Sequence, residues 1–290
     1  MRPTLESMTL QIEGSTIAGI RLRDASARDA PRLLCIHGWL DNANSFVPLM
    51  PYLPAFDLVA IDLPGHGYSD ALPQGYALHE IVFQLARVIQ ALGWSDCHVA
   101  GHSLGGCIAP MLAVASPALV QSLILIEATG PLSEEADELP ARMTRSLQDR
   151  LHPERFRSRV FRDKSEAVDS RLKAATMDVS SARLIIERQL LQNSQGYQWR
   201  FDPRLRMASA QYQTEAQVRA ILAALTCKTL TIIAEHGFLA GRVETSARLD
   251  CLAHHQSITL PGHHHLHMDT PEPVASAINR FVNVLPDLGG

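Results

Sequence analysis

Residues Val99-Ala100-Gly101-His102-Ser103-Leu104-Gly105-Gly106 constrain the fold more than any other stretch of the chain. A short apolar run enters, one serine stands with a glycine two positions to either side, and Cys107-Ile108-Ala109-Pro110-Met111-Leu112 continues as a helix. That is a strand driven into a helix through a turn too tight for large side chains, the Gly-x-Ser-x-Gly pattern of a nucleophile elbow. The following helix would aim its free N–H groups, and the positive end of its dipole, at Ser103. The same five residues also describe a glycine-rich turn with an incidental serine. Context has to separate the two.

The context is an alternation. Arg32–Ile36, Phe56–Ile61, Cys97–Ala100, Leu123–Ile126, Thr229–Ile233 and Ser257–Leu260 are short apolar runs suited to buried strands. Between them lie helical spacings. Leu78, Ile81, Val82, Leu85, Val88, Ile89 and Leu92 share one face, closed by Gly93. Leu104–Ala115, Glu244–Leu252 and Pro271–Val284 also read as helices, and Asn44–Leu53 as a short one interrupted by prolines. Ahead of these, Met8–Gly14 and Ile17–Leu22 alternate apolar and polar residues, which predicts an antiparallel hairpin around Gly14-Ser15. Buried strands alternating with helices predict an α/β fold, a mainly parallel, doubly wound sheet covered on both faces.

From Leu132 to Ala224 the texture changes. Strand-like runs vanish, and the segment holds 16 of the 26 Lys and Arg but only 13 of the 30 Asp and Glu. Helices are predicted at Ala141–Leu151, Ser165–Ala175, Ser180–Leu191 and Thr214–Ala224. The division is therefore a core in two parts, 1–131 and 226–290, with a helical lid inserted at 132–225 above the sheet's C-terminal edge. The lid's arginines hint at an anionic substrate, although solvated helix faces explain them equally.

With 46% apolar and 19% charged residues the chain is a globular protein, and a net charge of −4 gives no support to nucleic-acid binding. Five scattered cysteines without a CxxC pair read as buried reduced thiols rather than a zinc or disulfide framework. Met1–Asp24 lacks the apolar core of a signal peptide, no run reaches membrane-spanning length, and Leu288-Gly289-Gly290 carries no targeting signal. The expectation is a cytoplasmic protein without a membrane partner. Nothing in the sequence speaks to its oligomeric state.

Four motifs in order, His37-Gly38-Trp39, Asp62-Leu63-Pro64-Gly65-His66-Gly67, Gly101-His102-Ser103-Leu104-Gly105 and Pro261-Gly262-His263-His264, make the chain resemble the α/β-hydrolase fold family. The run His37–Phe46 further resembles the serine-hydrolase-like subgroup. The resemblance implies a cofactor-independent serine hydrolase that cleaves an ester or thioester of a small-molecule acyl substrate through an acyl-enzyme on Ser103. Carbon–carbon bond hydrolysis, haloperoxidase-like activity and a non-catalytic ligand-binding member of the fold are the alternatives. It implies an oxyanion hole from the backbone N–H groups of Trp39 and Leu104. Asp269-Thr270-Pro271-Glu272 fits the helix start that follows the family's histidine, which selects His264, with His263 and His265 as alternatives. His263 stands where the family commonly has glycine.

For the acid, the family's usual place falls on Gly237, in Ala234-Glu235-His236-Gly237. Glu235 lies two residues early. Glu127 lies after the previous strand, where a subset resembling haloalkane dehalogenases carries its acid, and an ionisable residue ending an apolar strand needs a partner. Glu127 is the first choice and Glu235 the alternative. Clustered histidines can also chelate, but no HExxH or carboxylate motif accompanies them, so no metal is expected. Asp62 and His66 are read as shaping their turn. Asp41 either touches substrate or forms a turn. Trp199-Arg200-Phe201 is read as packing within the lid, and Asp269 as capping the last helix.

Overall fold

The computed structural model describes residues 4–23 and 29–283. The polar stretch Asp24–Asp29 falls mostly outside these residues, as do Val284 and the terminal Leu288–Gly290.

Strands β1 (Thr4–Ile12) and β2 (Ser15–Arg23) form the predicted hairpin. Both turn residues, Glu13 and Gly14, have positive φ, at 50° and 83°. Such a turn matches the right-handed twist of the strands it joins. After β3 (Arg32–Ile36) the chain makes a short 3-10 helix, Ala43–Tyr52, with Pro48 and Pro51 inside it. Strand β4 (Asp57–Ile61), helix α1 (Leu78–Ala91), strand β5 (Cys97–His102), helix α2 (Leu104–Ala115) and strand β6 (Val120–Ile126) follow.

The segment after β6 holds α3 (Leu139–Leu151), β7 (Val160–Phe161), α4 (Lys164–Ala174), α5 (Val179–Gln189), β8 (Leu190–Asn193), β9 (Gly196–Trp199) and α6 (Glu215–Ala223). The alternation then resumes with β10 (Lys228–Ala234), α7 (Val243–Leu249), β11 (His255–Leu260), the single turn α8 (Leu266–Asp269) and α9 (Pro271–Asn283).

The main sheet has the order β1-β2-β4-β3-β5-β6-β10-β11. Pairing is antiparallel up to β2–β4 and parallel from there on. Alternate residues of the parallel strands face opposite sides. Leu34, Val59, Val99 and Leu123 pack under α1, α2 and α6, against Ile81, Ile108 and Leu222. Leu33, Leu58, Ala100 and Ile124 pack on the other face, against Phe46, Leu49 and Ile278. Each of the larger of these side chains contributes about 1.5–3 kcal/mol by leaving water. No described helix is long and apolar enough to cross a membrane.

The segment between β6 and β10 carries the four predicted helices as α3 to α6, and adds strands that the sequence did not suggest. Its strands form a second sheet, β7-β9-β8, packed with α4 and α5 around a separate cluster of Phe161, Val168, Ile185 and Ile186. Met268 of α8 joins that cluster, so the insertion docks directly on the loop that follows β11.

Candidate active site

The parallel strands end together, and the candidate residues stand on those ends. Ser103 joins β5 to α2 at φ 50° and ψ −112°, a conformation that L residues rarely adopt. Its N–H donates to Ile126 O at 3.0 Å, and its carbonyl accepts from Cys107 N at 2.9 Å. A side chain at Gly101 would overlap the backbone of Gly105, and one at Gly105 would overlap the Ile36 carbonyl. Those two glycines let α2 sit directly on β5 and β3, leaving Ser103 half-buried at the corner.

Glu127 occupies the equivalent position on the neighbouring strand. His102 pairs with Ile126 in the β5–β6 ladder, so the residues that follow them emerge side by side. Glu127 has φ 53° and is fully buried, and its N–H donates to Ile232 O at 2.9 Å. Its carboxylate accepts from Ala234 N at 2.7 Å and Phe238 N at 2.5 Å, and meets His264 Nδ1 at 3.2 Å. A Cβ on Gly237 would overlap this carboxylate. The loop after β10 thus carries no acid at 237 and holds the carboxylate of Glu127 in that volume instead.

Of the three candidate histidines, the structure brings only His264 to Glu127. His263 is exposed and turns to His236 O, and His265 is buried against Asp41. With Nδ1 toward the carboxylate, His264 keeps Nε2 on the opposite side of its ring. Its carbonyl accepts from His102 Nε2 at 2.9 Å, which fastens its loop to the elbow. Glu235 is exposed, lines an outer depression with Leu239 and Arg242, and makes no side-chain hydrogen bond or ion pair among the described residues. It does not join the site.

Trp39 and Leu104, expected as backbone donors, have N–H groups without a partner among the described residues. The turn carrying Trp39 is closed by Asp41 N donating to Gly38 O at 3.1 Å. Two imidazoles brace it. His37 Nε2 accepts from Leu63 N at 2.9 Å, which leaves its proton on Nδ1, directed at Gly38 O. His66 Nε2 accepts from Leu40 N at 3.3 Å, with Nδ1 on Pro64 O. Burial drives both toward the neutral form, lowering His37 from 6.5 to about 4 and His66 from 6.5 to about 3.

A pH dependence follows. The unfolded chain protonates these rings near 6.5, whereas the fold keeps them neutral to about 4 and 3, so the unfolded state binds more protons below pH 6.5. Stability is fully present above that value and falls with acidification by roughly 1.4 kcal/mol per pH unit for each ring, down to about pH 4. Urea unfolding at pH 7 and pH 5 should show the loss. Equal midpoints would contradict the neutral, buried assignment.

Of the two readings of Asp41, the structure supports the turn rather than a substrate contact. Its side chain is 1% exposed, and its oxygens are taken by Arg171 of α4 and by His265 Nε2 at 3.3 Å. The carboxylate is drawn inward because the Arg171 guanidinium and the His265 ring lie inside. Burial raises its pKa, but Arg171 and then His265 outweigh that and hold it well below the usual carboxylate range. Asp41, His102 and His265 offer donor atoms within 4.8 Å of one another, a set that suits a metal ion. The guanidinium of Arg171 already supplies positive charge to the carboxylate.

Asp62 and His66 do shape their turn. Asp62 accepts from Ala43 N and Tyr68 N at 2.8 Å, and pairs with Arg188 of α5 at 2.8 Å. Trp199 packs within the insertion, edge-on to Phe161 and stacked on Phe201. Asp269 does not cap α9; it lies in α8, and its carboxylate accepts from Asp178 N at 3.1 Å. Arg171 and His102 are the site neighbours that sequence reasoning missed. His102 sat within the elbow as an unassigned residue, and no local pattern distinguishes Arg171.

A family model described as alpha/beta hydrolase fold matches residues 31–269. The human "Serine hydrolase-like protein 2" is 32% identical over 275 residues, covering 87% of this chain and 87% of that protein. Among solved structures, the hypothetical protein PA1622 of Pseudomonas aeruginosa is 31% identical, with a TM-score of 0.88 over 95% of this chain and 97% of its own. A thioesterase domain from the curacin biosynthetic pathway has a TM-score of 0.81 at 24% identity, covering 95% of this chain and 99% of the domain, and so shares the fold.

Proposed function

The chain belongs to the α/β-hydrolase fold family, among its serine-hydrolase-like proteins, and from that premise we propose that it hydrolyses acyl bonds through Ser103 without a cofactor. The observation that carries this reading is the 3.2 Å contact between Glu127 and His264 Nδ1, on the sheet edge where Ser103 stands. A serine hydroxyl is a weak nucleophile until a positioned base takes its proton. Here His264 Nε2 accepts that proton as Ser103 Oγ attacks the substrate carbonyl. Glu127 fixes the tautomer and balances the imidazolium charge. The developing oxyanion takes hydrogen bonds from Trp39 N–H and Leu104 N–H, both without a partner among the described residues. His264 then protonates the leaving alcohol or thiol, and a water activated by the same ring releases the acid and restores Ser103. The inserted segment, 132–225, acts as a lid over the substrate.

The test is direct. A fluorophosphonate should label the wild-type protein, with Ser103 as the modified residue by peptide mass spectrometry, and short-chain nitrophenyl esters should be hydrolysed. Absence of labelling in folded protein would remove the serine mechanism.

A further inference from the structure

The turn that presents Trp39 N–H is not stable on its own account. Leu40 occupies its second corner at φ 58°, a left-handed conformation that a leucine holds only under outside constraint. Asp41 supplies one constraint beyond its own N–H. Its Oδ2 lies 3.1 Å from where a Gly38 Cβ would stand, so the carboxylate packs on the first residue of the turn. His102 Nδ1 lies 2.9 Å from the same point and 3.7 Å from Asp41 Oδ2.

His102 Nε2 donates to His264 O, so Nδ1 faces the carboxylate as a second acceptor and has no hydrogen-bond partner among the described residues. Two acceptors facing each other in the interior do not hold a carboxylate in place. His265 Nε2 meets Asp41 Oδ2 at 3.3 Å and also lies 3.3 Å from the Arg171 guanidinium, so the charge that anchors this pair is Arg171, which comes from α4 with its side chain 13% exposed.

We propose that Arg171 is a positioning residue of the active site, which holds Asp41 against Gly38 and thereby sets the Trp39 N–H for the oxyanion. The inserted segment then completes the reaction centre as well as covering it. This rests on the reading of Ser103 as nucleophile. The insertion has other, neutral ties to the same turn: Gln189 donates to Leu40 O at 3.2 Å, and Asn42 donates to Ile185 O at 2.9 Å. Losing the guanidinium therefore leaves the segment docked and changes what happens at the turn. A buried carboxylate stripped of its cation moves or takes a proton, and the N–H that follows Gly38 shifts with it.

The experiment compares wild type, Arg171→Met, Arg171→Lys and the double variant Arg171→Met/Asp41→Asn, using a nitrophenyl ester, an aryl boronic acid and thermal unfolding. A single misplaced oxyanion donor should lower kcat by about 10- to 100-fold in Arg171→Met. KM should stay within about threefold, and boronic-acid affinity should weaken in step with kcat. Lysine, which returns the charge, should restore most of kcat even if the methionine variant is poorly folded. The double variant, with neither charge left unpaired, should exceed Arg171→Met. If wild type labels with fluorophosphonate but kcat and boronate affinity are unchanged in Arg171→Met, with only stability altered, the inference fails alone. A rise in KM alone has the same meaning. Wild-type protein that neither labels nor hydrolyses the ester overturns the nucleophile reading, and the inference with it.

Discussion

Substituting Ser103 with glycine is expected to abolish turnover and, at the same time, make the protein more stable. The backbone at φ 50° and ψ −112° is one that only glycine adopts readily. Holding a serine there costs on the order of 1–3 kcal/mol. Glycine removes that strain but loses more freedom on folding, an offset of about 0.5–1 kcal/mol. The net gain is on the order of 1 kcal/mol. Ser103→Ala keeps the strained Cβ and so lacks the gain. In both variants kcat on an activated ester should fall by about 10⁴-fold or more, because the attacking oxygen is gone. Urea unfolding beside the ester assay checks both halves. A glycine variant less stable than the alanine variant would mean that the corner is not strained.

The second large effect concerns the acid. Glu127→Gln keeps the side chain's size but turns an amide toward His264 Nδ1 or leaves one backbone donor poorly matched, so the imidazole loses its orienting acceptor. A loss of about 10³–10⁴-fold in kcat is expected, the scale seen when a triad carboxylate becomes an amide. Glu235→Gln should stay near wild type, since Glu235 is exposed and apart from the histidine. The Gly237 contact permits a sharper test. Gly237→Asp alone should be destabilising, because its Cβ overlaps the Glu127 carboxylate. Glu127→Gly empties that space and suits the φ of 53°. The double variant Glu127→Gly/Gly237→Asp should then exceed Glu127→Gly in kcat by about tenfold or more. A double variant no better than the single one would show that the acid cannot be relocated.

The alternation of β3 to β6 with helices was readable because these strands are buried on both faces and so appear as unbroken apolar runs. The small sheet was not, since β7 has two residues, β8 and β9 have four each, and β9 is only half-buried along its length. His263, His264 and His265 are chemically identical neighbours; the helix start at Asp269-Thr270-Pro271 singled out His264, and the structure turns that ring to Glu127 while His263 and His265 turn elsewhere. Glu127 could be nominated from its strand, but Gly237 carries its meaning through a side chain it lacks. Arg171 was invisible because its partner, Asp41, is 130 positions away and 15 other basic residues share its segment. Asp41 was read as either a substrate contact or a turn residue; it closes the turn, and nothing in a single sequence tells that its carboxylate is buried against Arg171.

Ser103 and Glu127 stand at the ends of β5 and β6, which are consecutive strands linked by α2. During synthesis that β-α-β unit is complete before any of the insertion has been made, and its contacts are short in sequence, the kind that form early. His264 and Arg171 are added from later stretches of the chain. On the proposed mechanism, a nascent or truncated chain would hold its nucleophile and acid yet stay inert until the last loop folds down. If Ser103 is acylated as proposed, the order of translation itself keeps the half-made protein from premature acylation.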